Sequence, residues 1–192
     1  MSRVLMGPLS RAVVVENPDS SLDDLLGEQG IEVTRLDETP TEDVLIEVLQ
    51  NTKAQVLFKR SRVPVTRTMI ESCPELFAIQ LCCIGDDSVD KQACADNGVL
   101  VFNDPVSNGR SVVELVIAHL IALSRRLFET DSVCRQGVWE KNNRERYEVR
   151  GKVLGVLGLG NIGRQVARAA EALGMRIVFY DSRYAASEVG QE

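Results

Sequence analysis

Between Lys152 and Asp181 the sequence leaves room for few folds. Lys152 to Leu157 reads as a strand, and Gly158-Leu159-Gly160-Asn161-Ile162-Gly163 follows it directly. Val166, Ala169, Ala170 and Leu173 then mark one helical face up to a stop at Gly174. Ile177 to Tyr180 reads as a second strand that ends at Asp181. A lone G-x-G-x-x-G is weak. One that leaves a strand, opens a helix and precedes an acid by roughly 20 residues has the dinucleotide-binding βαβ context.

Each residue type there has a physical task. Gly158 permits the tight turn, Gly160 keeps a Cβ from standing between the backbone and a pyrophosphate, and Gly163 lets helix and strand pack closely. The N–H groups around Asn161 and Ile162 lie at a helix N-terminus, where the dipole favours negative charge. Asp181 can accept hydrogen bonds from both ribose hydroxyls and would repel a 2′-phosphate, which favours NAD over NADP. Arg183 works against that preference, because a nearby arginine can accommodate the extra phosphate. The alternative is a glycine turn that binds nothing.

Upstream, short β-branched runs alternate with amphipathic stretches. Ala12 to Val15, Ile31 to Leu36, Val56 to Phe58, Phe77 to Leu81 and Val99 to Phe102 read as strands, apolar enough to be covered on both faces as in a parallel sheet. Leu22, Leu25 and Leu26 form one helical stripe, and Val44, Leu45, Val48 and Leu49 another. Thr39-Pro40-Thr41-Glu42 predicts the start of that second helix, with Thr39 as cap, Pro40 at the first helical position and Glu42 closing a capping box. Further helices are expected through Met69 and Ile70, stopping before Pro74, and over Val89 to Asn97, stopping at Gly98. The class is α/β. After Pro105, Ser111 to about Arg126 is a nearly all-apolar helix. It should be buried on most sides, between domains or between subunits. Gln136 to Lys152, with Trp139, reads as a polar surface excursion.

Composition narrows the function classes. The 192 residues carry 22 Lys+Arg against 28 Asp+Glu, a formal charge of −6, which argues against nucleic acid or an anionic membrane as the main partner. No apolar run reaches the roughly 18 residues of a transmembrane helix, and Met1 to Ser10 holds no secretory h-region. The five cysteines, Cys73, Cys82, Cys83, Cys94 and Cys134, are odd in number and contain no C-x-x-C, which fits a reducing cytoplasm and no metal site. Vicinal Cys82 and Cys83 are read as two small buried side chains, with a redox pair as the alternative.

Several segments in order resemble the D-isomer-specific 2-hydroxyacid dehydrogenases, over roughly Lys59 to Arg183. They are Lys59-Arg60-Ser61-Arg62, Cys83-Ile84-Gly85 leading to Val89-Asp90, and Gly98-Val99-Leu100-Val101-Phe102-Asn103. Pro105-Val106-Ser107-Asn108 with Ser111-Val112-Val113-Glu114-Leu115 follows, then Gly137-Val138-Trp139 and the glycine motif. Within the family the likeness is to the bacterial phosphoglycerate branch, which oxidises D-3-phosphoglycerate to 3-phosphohydroxypyruvate in serine synthesis. The resemblance implies a flavodoxin-like substrate domain over residues 1–107 and the first part of a Rossmann NAD-binding domain over 108–192, truncated. It implies NAD as cofactor, held at Gly158, Gly160, Asn161, Ile162, Gly163 and Asp181. It implies a substrate carboxylate on the N–H groups of Cys83, Ile84 and Gly85, with Asn108 near the substrate at the hinge. Arg60, with Arg62 nearby, would hold the phosphate, since a guanidinium matches phosphate oxygens in bidentate fashion. A solvated charge cluster is the alternative for both arginines. A homo-oligomer joined through the 111–126 helix is also expected.

The family's catalytic histidine, its paired glutamate and its substrate-orienting arginine all lie beyond the second dinucleotide-domain strand. Within these 192 residues the one histidine is His119, read as a core or interface imidazole, and no catalytic residue is assigned. The first Rossmann strand should be central in its sheet, yet here it would have a partner on one edge alone, so a fragment is expected. Two other functions stay open: a dehydrogenase or reductase of another small 2-hydroxy acid such as glyoxylate, and a non-catalytic NAD-binding regulatory module.

Overall fold

A computed structural model of the chain describes residues 7–139 and 141–184. The chain divides into two compact units, one up to Pro105 and the other from Val106. In the first, strands and helices alternate: β1 (Arg11–Val14), α1 (Ser21–Glu28), β2 (Glu32–Arg35), α2 (Glu42–Thr52), β3 (Val56–Lys59), α3 (Arg67–Ser72), β4 (Ala78–Leu81), α4 (Lys91–Asn97) and β5 (Leu100–Phe102). The five strands form one sheet in the order β2-β1-β3-β4-β5, every pair parallel. This is the flavodoxin-like doubly wound order, whose direction reverses between β1 and β3.

The core explains the apolar runs. Val13, Leu57 and Ile79 from three adjacent strands are fully buried with Leu45, Leu49, Met69, Ile70 and Leu76. Helix ends follow local chemistry. The Asp90 carboxylate accepts the Ala93 N–H at 2.8 Å to cap α4, and Gly98 closes that helix in the left-handed conformation at φ 70°. The start of α2 differs from the sequence expectation. Thr41, not Thr39, is the cap, its Oγ1 accepting from the Val44 N–H at 3.5 Å. Glu42 is not in a capping box, because its carboxylate accepts a hydrogen bond from Thr66 Oγ1, the hydroxyl that caps α3.

The second unit comprises α5 (Gly109–Arg125), α6 (Leu127–Arg135), β6 (Val153–Leu157), α7 (Asn161–Ala172) and β7 (Arg176–Tyr180). β6 and β7 pair in parallel around α7, the βαβ unit expected from the glycine motif, and among the described residues β6 has this one neighbour. α5 packs on α7, with Gly109 beside Asn161, Ile162 and Gln165, and its buried residues are Gly109, Val113 and Ala122. It is less enclosed than its composition predicts: Leu115 and Leu123 stand 58% and 67% exposed. α6 has no forewarning in the sequence pattern. Arg126 adopts a left-handed conformation, φ 54°, and breaks what would be one long helix into two. No helix among the described residues is long and apolar enough to cross a membrane.

Candidate functional site

In a doubly wound sheet, ligands bind beyond the carboxyl ends of the strands at the switch point, here the ends of β1 and β3. Register brings three chain segments together there. The Val15 N–H bonds the Phe58 carbonyl at 2.9 Å, Lys59 pairs with Leu81, and the Cys82 N–H bonds the Lys59 carbonyl at 2.7 Å. Arg60 and the Cys83-Ile84-Gly85 loop therefore leave neighbouring strands at the same edge of the sheet.

The loop is oriented by its carbonyls. Asn103 Nδ2 donates to the Ile84 oxygen at 2.8 Å, and the Asp104 N–H donates to the Cys83 oxygen at 3.2 Å. The Gly85 oxygen lies 3.3 Å from Cys83 Sγ. The N–H groups of Cys83, Ile84 and Gly85 have no partner among the described residues. Tied carbonyls and open amides are suited to an anion. Arg60 and Arg62 are exposed, and neither meets a carboxylate among the described residues. Cys82 and Cys83 are half-buried rather than fully buried as expected, because they occupy a loop beyond the sheet edge. Burial pushes the Cys82 thiol up, Cys83 adds to this, and Arg60 and Arg35 oppose it, which disfavours a thiolate at Cys82.

Beneath this edge lie two charged residues that have no assigned role in the sequence pattern. Glu16 follows β1 in the left-handed conformation, φ 64°, as does Asn17, φ 50°. This turn folds the Glu16 side chain inward, where Oε1 accepts the Val63 N–H and Oε2 is buried without a hydrogen-bond partner among the described residues. Lys59 is fully buried, and its Nζ donates to the Arg60 carbonyl and to Ser88 Oγ, both at 2.7 Å. Burial pushes the Lys59 ammonium pKa down, while Glu16 and then Cys83 pull it back up. Lys59 and Glu16 thus hold the two ends of the Arg60–Arg62 loop. A lysine closing an apolar strand and an acid just after another were visible signals. What they face depends on which strands pair.

The second unit carries the other cluster. Gly158 turns at φ +90°, and Gly160 caps α7 in an extended conformation. A Cβ on Gly163 would lie 2.0 Å from the Gly158 carbonyl oxygen, so α7 rests directly on the backbone of the turn. The first turn of α7, with Asn161 and Ile162, consequently aims its N–H groups out of the glycine loop. Asp181, at the end of β7, is buried and accepts the Leu159 N–H at 2.7 Å, which locks the strand end to the loop. The Arg183 guanidinium and then the Arg183 N–H hold the Asp181 carboxyl well below the usual carboxylate range. Burial opposes them and the Leu159 N–H adds to the lowering. This cradle fits a dinucleotide: it has the cleared backbone approach, the helix terminus and the acid at the strand end.

The remaining sequence candidates fall elsewhere. Asn108 sits at the N-cap position of α5 and makes no capping side-chain bond. His119 is exposed, not buried in a core. Its Nδ1 is 2.8 Å from the Leu115 carbonyl, one turn back, and its ring is 6.3 Å from that of Phe128.

Comparison with known proteins agrees with these two halves. Residues 117–192 match the family described as D-isomer specific 2-hydroxyacid dehydrogenase, NAD binding domain. A protein named putative D-3-phosphoglycerate dehydrogenase from Schizosaccharomyces pombe is 36% identical over 171 residues, 89% of this chain and 36% of its own length. The Escherichia coli K12 protein named D-3-phosphoglycerate dehydrogenase is 46% identical over 122 residues, 64% of this chain and 30% of its own length. A crystal structure from Thermus thermophilus superposes with a TM-score of 0.81 at 27% identity, covering 92% of this chain and 57% of that one. The chain spans about a third of the length of these curated relatives.

Proposed function

Because the chain belongs to the D-isomer-specific 2-hydroxyacid dehydrogenases, we propose that it supplies substrate and cofactor contacts for the NAD-dependent oxidation of D-3-phosphoglycerate to 3-phosphohydroxypyruvate. The observation that carries this reading is the sheet edge where open amides of Cys83, Ile84 and Gly85 neighbour Arg60. A phosphorylated hydroxy acid presents two anionic ends. The amides take the carboxylate, and Arg60 with Arg62 takes the phosphate by forked hydrogen bonds. In the other unit, Gly158, Gly160 and Gly163 clear the approach for the pyrophosphate, Asn161 and Ile162 present amides to it, and Asp181 takes the ribose. When bound, NAD accepts the hydride from the substrate's C2.

No residue of this chain is assigned the proton transfer. Five free thiols suit a reducing compartment such as the cytoplasm, and the exposed Leu115 and Leu123 on α5 support association with a second copy.

The test is NAD reduction, followed by absorbance, in full-length protein with 3-phosphoglycerate and with unphosphorylated 2-hydroxy acids. Each charge-assisted hydrogen bond is worth roughly 1.5–3 kcal/mol, so Arg60→Ala should raise KM for the phosphorylated substrate about ten- to a hundredfold. It should leave NAD affinity unchanged. Absence of turnover with 3-phosphoglycerate, or an equal effect on unphosphorylated acids, overturns the assignment.

A further inference from the structure

The ribose end of the dinucleotide site contains more positive charge than an NAD site requires. Asp181 accepts four hydrogen bonds: the Leu159 N–H and Arg183 Nη2 on Oδ2, both at 2.7 Å, and the Arg183 N–H at 3.0 Å and Nε at 2.9 Å on Oδ1. A carboxylate offers about four such positions, so this one is saturated. Two of its donors are backbone amides fixed by the fold. The other two belong to one guanidinium that is 59% exposed. Ribose hydroxyls can therefore reach Asp181 only by displacing the Arg183 side chain.

That side chain already reaches toward the phosphate approach. Arg183 Nη2 lies 3.7 Å from the position a Cβ would take on Gly160. Beside it, Gly160, Asn161, Arg164, Arg168 and Arg183 line a cleft of about 370 Å³. Arg164 is held there by its Nε on the Leu159 carbonyl at 3.0 Å and its Nη2 on the Tyr184 hydroxyl at 2.7 Å. Neither Arg164 nor Arg168 meets a carboxylate among the described residues. Asp181 is paired with one of the lining residues, Arg183, which neutralises it.

We propose that Arg183 sets the cofactor discrimination, so that the site accepts NADP as well as NAD. This rests on the dinucleotide reading of the same site. The pair acts on the two cofactors in opposite ways. NAD must break the Asp181–Arg183 fork before its ribose diol can bond the carboxylate, which weakens NAD. A 2′-phosphate instead meets an acid whose charge is already balanced, and three guanidinium groups able to fork onto its oxygens. The repulsion that an unpaired aspartate exerts on NADP is absent while the fork is closed.

The experiment is calorimetric titration of the full chain with NAD and with NADP, for wild type, Arg183→Ala, Arg183→Lys and Asp181→Asn. Wild type is expected to bind the two with dissociation constants within about tenfold of each other. Arg183→Ala exposes Asp181 and should widen the ratio by at least about tenfold, through lost NADP affinity and unchanged or tighter NAD. Arg183→Lys keeps the charge without the fork and should fall between. Asp181→Asn should weaken NAD and spare NADP. Because Arg183 is mostly exposed, retained NAD binding by its variants shows that they are folded. A wild-type ratio above about a hundredfold, or a ratio unmoved by Arg183→Ala, overturns the proposal while leaving NAD binding intact. Failure of wild type to bind either dinucleotide overturns the underlying reading, and the proposal with it.

Discussion

Gly163→Ala tests the cofactor cradle most directly, because it adds one carbon at the tightest contact in the second unit. The new Cβ would stand 2.0 Å from the Gly158 carbonyl oxygen, 3.1 Å from its carbonyl carbon and 3.3 Å from Val156 Cγ1. Carbon–oxygen contacts settle near 3.3 Å, so α7 must withdraw from the turn by about 1.3 Å. Helix propensity alone predicts the opposite sign, a gain of roughly 0.5–1 kcal/mol for alanine over glycine inside a helix. The clash should win, since overpacking against backbone costs about 1–3 kcal/mol and cannot be relieved by a side-chain rotation. The same displacement carries the first-turn amides of α7 beyond hydrogen-bonding reach of a pyrophosphate, and each bond lost weakens binding by about ten- to a hundredfold. Two neighbours serve as controls. Gly155→Ala meets nothing nearer than Val178 Cγ2 at 4.0 Å and should be tolerated. Gly158→Ala meets no atom within 4 Å but is strained at φ +90°, so it should lose stability without a clash. Thermal denaturation and NAD titration of the three variants give the order. Gly163→Ala with wild-type melting and wild-type NAD affinity would refute the reasoning.

The other predictions concern charge. Lys59→Ala removes the Nζ bonds to Arg60 and Ser88 and leaves Glu16 buried without its countercharge, so urea denaturation should show a loss of about 3–5 kcal/mol. Lys59→Met keeps the volume and should lose less than Lys59→Ala by the packing part alone, since both leave Glu16 without its countercharge, and both variants raise KM by loosening the Arg60 loop. For Asp181, the folded carboxyl titrates below its unfolded value of 3.8, so the unfolded chain takes up the proton first. The stability carried by the pair is therefore complete above that value and is lost as pH falls below it. Melting temperature followed through the acid range should fall more steeply for wild type than for Asp181→Asn, and parallel curves would rule out this source.

The elements readable from the sequence are those whose cause is local. Val13, Leu57 and Ile79 lie in runs apolar enough to demand burial on both faces, and the sheet supplies it. Gly98 and Asp90 mark the ends of α4 because a left-handed cap and an N-cap carboxylate act within one turn. Pattern and structure part where a competitor comes from far along the chain. Glu42 fits a capping box by spacing, yet Thr66, distant in sequence, takes its carboxylate. The break between α5 and α6 depends on one left-handed residue, Arg126, that no glycine announces. Apolar neighbours suggest a core position for His119, although it is exposed, as are Leu115 and Leu123 on the same helix. Within the site, the glycine motif and Arg60 are visible as residue types at fixed spacing. The Glu16–Lys59 support is not, because it exists only once β1 and β3 lie side by side.

Both candidate sites also resolve an apparent conflict, that a chain with a formal charge of −6 should hold anionic ligands. At physiological salt, charges separated by more than about 8–10 Å are largely screened, so the net charge matters less than the groups within one Debye length of the ligand. Around the first anion seat those groups include Arg60, Arg62, the open amides and two acids directly after Gly85, Asp86 and Asp87. Of the acids there, Glu16 is turned inward and engaged by the Val63 N–H, Asp86 is paired with Lys91 at 2.9 Å, and Asp87 stays exposed beside Gly85. Around the second they are Arg164, Arg168, Arg183 and the start of α7, with Asp181 neutralised by its fork. Glu16, Asp86 and Asp181 are each engaged by donors of the chain itself, whereas Arg60, Arg62, Arg164 and Arg168 meet no carboxylate among the described residues. The opposite arrangement, acids outward and arginines paired, would have the same composition and pI and would repel a phosphorylated acid and a dinucleotide alike. Net charge is therefore silent on anion binding in this protein, and the pairing pattern is the property that decides it.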